Sequence, residues 1–97
     1  MRSAEETTAH LIELEREEFD RLSNRARAAN DRIDAAQKQQ PIAGQQREDL
    51  AFSQQRLQTD LSQADTALKA ANVQKAQIYL DLAKGELDKI SKLLARS

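Results

Sequence analysis

The one histidine of this chain, His10, stands four residues after Glu6, three before Glu13 and seven before Glu17. On a helix these four share a face, and imidazole with carboxylates is a donor set that a transition metal accepts. Di-iron sites in helical bundles, however, draw Glu-x-x-His motifs from two helices. Here the order is His-x-x-Glu and it occurs once, with no second histidine to complete a site. A solvated acidic face accounts for the cluster better, and no metal or other cofactor is expected.

Nucleophilic catalysis finds equally little. Ser23, Ser53, Ser62 and Ser91 carry no elbow motif and have no histidine at a matching position, and the chain has no cysteine. Carboxylates are plentiful, but on exposed helical faces they keep ordinary proton affinities, whereas general acid catalysis needs a perturbed one. No glycine-rich loop is present to cradle a phosphate. The sequence therefore names no catalytic and no cofactor-binding residue, and the chain is not expected to be an enzyme.

Charge removes two further classes. Fifteen basic and 16 acidic side chains leave a net charge of −1. Arg16, Arg21, Arg25, Arg27 and Arg32 make a basic stretch, yet Glu17, Glu18, Asp20, Asp31 and Asp34 interleave with them. Those carboxylates offset the counterion release that drives nucleic-acid binding, and the one aromatic on that stretch, Phe19, is a member of an apolar seam rather than a free platform for a base. No nucleic-acid partner is expected. No apolar run approaches the roughly 20 residues that span a bilayer, and no stretch reads as a secretory leader, so membrane insertion is not expected either. Lack of cysteine suits cytosol and periplasm alike; a soluble protein is expected, with the cytoplasm preferred.

What remains is the scaffold that would hold these residues. Val73, Ala76, Leu80, Ala83, Leu87, Ile90 and Leu94 recur at alternating spacings of three and four, the mark of a helix packed lengthwise on others. Leu50, Gln54, Leu57, Leu61, Ala64, Leu68 and Ala71 form a second seam. Ile12, Phe19, Leu22, Ala26, Ala29, Ile33 and Ala36 form a third. Only two glycines and one proline interrupt a composition rich in Ala, Leu, Gln, Glu and Arg, which favours helix almost throughout.

The breaks set the organisation. Ser3-Ala4-Glu5-Glu6 fits a capping box opening helix 1, which runs over about 4–39. Pro41 disfavours helix at Gln40, giving a loop at 40–43 that Gly44 loosens on its far side. Helix 2 covers about 44–70, a turn takes 71–73 where the heptad spacing slips, and helix 3 covers about 74–95. Asn72 either caps helix 3 or takes the left-handed position after helix 2. Chain length allows one domain, 1–97. The fold class expected is all-α: an antiparallel three-helix up-down-up bundle with coiled-coil-like heptad packing. Aligning the seams on that plan stacks Ile12 with Leu68 and Ala76, Phe19 with Leu61 and Ala83, and Leu22 with Leu57 and Leu87. It also places Gln54 in a layer with Ala26 and Ile90, where its amide needs a partner.

The run Ala67-Leu68-Lys69-Ala70-Ala71-Asn72-Val73-Gln74-Lys75-Ala76, followed by Tyr79-Leu80 and Ala83, resembles the helical hairpin of tetratricopeptide-type repeats. The likeness covers about twenty residues, and no 34-residue period follows it. It implies a tight turn between two helices rather than a repeat array.

One apolar stripe falls outside the seams. Ile78, Leu82 and Gly85 lie nearly opposite the helix 3 seam, while Tyr79 and Leu93 only widen the seam itself. Leu11 and Leu14 on helix 1 belong to the same end of the bundle, and Phe52 on helix 2 is a further outward residue. A contiguous apolar patch on so small a bundle marks a partner surface, and Gly85, costing about 1 kcal/mol in a helix interior, would let a partner approach closely. The expected function is a non-enzymatic interaction or scaffold module, part of a larger protein or assembly. It would dock another protein, or a second copy of itself, through Leu11, Leu14, Phe52, Ile78, Leu82 and Gly85. A ligand-sensing helical domain of an envelope or signalling protein is the alternative, with its pocket near Ala26, Ala29, Gln54 and the Gln-rich end. An amphipathic lipid-binding bundle comes third.

Overall fold

The computed structural model describes residues 4–95. Among these it contains three helices and no strand: α1 spans Ala4–Gln39, α2 Gly44–Lys69 and α3 Val73–Ala95. The helix limits fall within one residue of those read from the sequence. Ser3 of the anticipated capping box lies outside the described residues. Each helix packs on both others, α2 and α3 most extensively. The body measures 57 × 17 × 17 Å between Cα atoms, so it is a rod about one long helix in length.

The chain leaves α1 where Pro41 makes helix untenable at Gln40, whose amide still reaches the Ala36 carbonyl at 3.0 Å. The following loop is pinned by Ile42, which is buried in the main core. Gly44 opens α2 at φ +67°, a backbone region in which a Cβ crowds the following carbonyl. Glycine occupies it without the strain that a Cβ brings.

The α2–α3 corner is a Schellman motif. Asn72 N–H donates to Ala67 O at 2.8 Å and Ala71 N–H to Leu68 O at 3.0 Å, which satisfies two carbonyls left open by the end of α2. Ala71, not Asn72, takes the left-handed position, at φ 57°. Asn72 instead caps α3: its Oδ1 accepts from the Lys75 amide at 3.1 Å. This division removes Ala71 from the second seam, where the spacing had placed it, and leaves it exposed.

Besides the exposed Ala71, the core departs from the three apolar series at two positions. Leu22, Ile33, Leu50, Leu57, Leu80, Leu87 and Ile90 are all at most 4% exposed, and Ala64, Ala76 and Ala83 are fully covered between them. A smaller cluster joins Ala67, Leu68 and Ala76 with Ile12 and Phe19. Tyr79 and Leu93 pack against the main core, as their positions flanking the seam anticipate. On α2, Ser53 is buried rather than Gln54. Gln54 sits half-buried at the edge, where its amide donates to Asn30 Oδ1 at 2.9 Å, so its partner is found at the margin of the core and not inside it. On α1, Glu15 fills the seam position between Ile12 and Phe19, at 5% exposure.

Candidate functional site

Leu11 and Leu14 on α1 and Ile78 on α3 come together across one groove of about 620 Å³, whose apolar wall Val73 completes. All three are exposed, Ile78 reaching 58%. Leu11 is one position from the partly buried Ile12 and Leu14 one position from the buried Glu15, whereas Ile78 is two positions from both Ala76 and Leu80, buried residues of its helix, so all three side chains stay outside the core.

The groove is acidic as well as apolar. Glu15, Glu18 and Asp81 line it, and no basic side chain does. Glu15 has neither carboxylate oxygen hydrogen-bonded. Its proton affinity is raised above the ordinary 4.5, first by burial and then by the neighbouring charges of Glu18 and Asp81. Asp81 accepts a hydrogen bond from Gln77 Nε2 at 2.9 Å and has no ion pair among the described residues.

The other three residues of the anticipated surface are not brought into this groove. Leu82 is exposed one turn beyond Ile78; four residues turn a helix by about 40° more than a full circle, which carries it off the groove's edge. Gly85 is exposed, with nothing within 4 Å of where a Cβ would stand. Phe52, 60% exposed, lies on α2. It lines a separate depression of about 300 Å³ with Lys89, Lys92 and Leu93 of α3. Arg56 stacks over its ring at 5.4 Å from the centroid, and both Arg56 and Lys89 approach one oxygen of the buried Glu86 at 3.6 Å. Beside this group Asp60 also holds its proton more firmly than the ordinary 3.8, through burial and the Glu86 charge, against the opposing pull of Arg56.

His10, Glu6, Glu13 and Glu17 are all exposed, and among the described residues no three His, Cys, Asp or Glu side chains are grouped closely enough to hold a metal ion. No helix among the described residues is long and apolar enough to cross a membrane. A third depression, of about 450 Å³, lies between α1 and α2 around Ala26, Asn30, Gln54 and Leu57.

Glu15 is the residue of this site that sequence reasoning passed over. Its signal was present: it stands three after Ile12 and four before Phe19, the step that a seam position takes. Compared with known protein families, with characterised proteins and with solved structures, the chain matches none.

Proposed function

We propose that this chain is a non-enzymatic interaction module, a single antiparallel up-down-up bundle with heptad-like packing that docks another protein through the α1–α3 groove. The antiparallel course is supported by contacts between helices. Arg25 pairs with Asp88 at 3.6 Å, Gln54 reaches Asn30, and Gln46 reaches the carbonyl of Leu93. Residues late in α1 and α3 thus stand beside residues early in α2, while Ile12 and Phe19 pack near Leu68 and Ala76 at the other end.

The observation that carries the functional reading is the convergence of Leu11, Leu14 and Ile78, from two distant segments, on one open groove. Isolated exposed leucines are ordinary on a protein surface; aliphatic side chains gathered in a concave strip between two helices are the form that receives a partner's side chains. Leu82, on the next turn, extends the apolar surface beyond the groove. Replacing Ile78 with Glu places a charge where a partner must exclude water and costs the contact several kilocalories per mole. Helicity and melting of Ile78→Glu remain those of the parent, while capture of binding proteins in pull-down is lost. If the variant retains the same proteins, the groove is surface only.

A ligand-sensing role is the second reading, supported by the depression around Ala26, Asn30 and Gln54, which shares Ala26 and Gln54 with the anticipated pocket but includes neither Ala29 nor the Gln-rich end. It requires a small molecule that raises the melting temperature of the parent and not of Gln54→Leu.

A further inference from the structure

The molecule carries two apolar surfaces that differ in their charged borders. One is the α1–α3 groove, a concave aliphatic strip bordered by Glu15, Glu18 and Asp81 with no cation in its lining. The other is the face around Phe52, where an exposed aromatic stands with Arg56 over its ring and with Lys89 and Lys92 alongside. Lys92 has no ion pair among the described residues, and Lys89 shares a single Glu86 oxygen with Arg56. Of the acids on this face, Asp49 already accepts the Gln45 side-chain amide at 2.8 Å and the buried Glu86 already faces Arg56 and Lys89, which leaves Lys92 as the cation free to meet an outside acid.

We propose that these surfaces are complementary halves of one contact between copies of this chain: the Phe52 face of one molecule docks in the acidic groove of the next. Aromatic rings with a neighbouring cation are the side chains that most often anchor such contacts, and the groove offers the ring an aliphatic floor. Lys92 then meets Glu18 and Asp81, and the wall that contains Glu15, whose carboxylate has no hydrogen-bond partner in the single chain, gains nearby positive charge. Charge matching of this kind sets orientation and encounter rate more than raw affinity.

A molecule cannot satisfy both surfaces by itself. Fourteen residues of α3 separate Ile78 from Lys92, about 21 Å along the helix. Because the two halves are different patches, the contact is heterologous, and repetition builds a head-to-tail series rather than a closed pair. The area available on so slender a body puts the contact in the small, transient class below about 1,200 Å².

This self-docking rests on the groove reading above, and sedimentation equilibrium tests it on the whole chain. The parent gains mass with concentration and loses that gain as salt rises from about 50 to 500 mM, since exposed charge pairs are screened over a few ångströms at the higher value. Phe52→Glu and Ile78→Glu, both at exposed positions and both with parental helicity, each weaken association at least about tenfold, or 1.4 kcal/mol. Mixing the two variants restores a 1:1 pair that grows no further, because one intact half remains on each.

A parent that keeps single-chain mass throughout overturns the proposal, as does a Phe52→Glu variant that still associates or a mixture that fails to pair. A helical Leu/Lys peptide separates this failure from that of the groove itself. If the parent is a monomer yet binds the peptide and Ile78→Glu does not, self-docking falls and the groove reading stands. If the peptide also fails to bind, both fall.

Discussion

The side-chain amide of Gln46 donates to the main-chain carbonyl of Leu93 at 2.7 Å, across 47 residues of sequence. Leu93 lies in the last turn of α3, where carbonyls have no partner within the helix. A residue at the start of α2 therefore closes the end of α3. Gln46→Ala leaves that carbonyl to water and removes the tie, at a cost of about 0.5–1.5 kcal/mol. Hydrogen exchange should accelerate in the last turns of α3 and not at its centre. Unchanged exchange there would show that the bond holds nothing in place.

Glu15 makes stability fall with rising pH. A carboxyl whose proton affinity is raised in the folded state binds its proton more tightly there than in the unfolded chain. From the ordinary 4.5 up to the raised value, the folded state holds more protons, so its stability declines as pH rises through that window and stays reduced above it. Asp60 acts in the same direction from 3.8 upward. Glu15→Gln removes the charge without changing the shape. At pH 7 it should stabilise the protein, because the buried charge is gone while the polar group stays, and the gain should vanish once the pH falls below the ordinary carboxyl value of 4.5. Melting curves of both proteins across that range provide the check.

The two positive-φ positions respond oppositely to the same exchange of residues. Ala71 has a Cβ where the backbone disfavours one, so Ala71→Gly should stabilise by about 1 kcal/mol. Gly44→Ala should destabilise by a similar amount, even though no atom lies within 4 Å of the added methyl group. Equal and opposite shifts in denaturation midpoint, with the slope unchanged, are expected.

Leu80 is fully buried and belongs to the main core. Leu80→Ala should cost about 2–5 kcal/mol through lost burial and the cavity left behind, enough to lower the melting temperature by about 10 °C or more in a domain of this size. A loss below about 1 kcal/mol would mean that the three helices collapse onto the gap.

Where the fold was legible, the reason was spacing. The α3 series from Val73 to Leu94 is apolar at every step, and its five central members are all buried. Pro41, Gly44 and Asn72 mark the helix ends because each has a backbone property that a helix interior rejects. The α2 seam was read less well, since Ser53 and Gln54 are both polar and only packing decides which turns inward; the smaller hydroxyl fits against the core and the longer amide reaches Asn30 at the edge. Glu15 was missed for a related reason: its charge outweighs its position in any reading by residue type. Of the surface residues, Leu11, Leu14 and Ile78 share a groove while Phe52 stands apart. Sequence spacing fixes each helix's own face but not how neighbouring faces rotate against one another.

The rod of 57 × 17 × 17 Å has a hydrodynamic consequence. A prolate particle experiences more friction than a sphere of equal mass. The 10.9 kDa chain will therefore elute from a sizing column ahead of compact standards of its own weight, even when it travels alone. Its tumbling will be anisotropic too, so amides along the long axis will relax differently from those in the corner at Ala71 and Asn72.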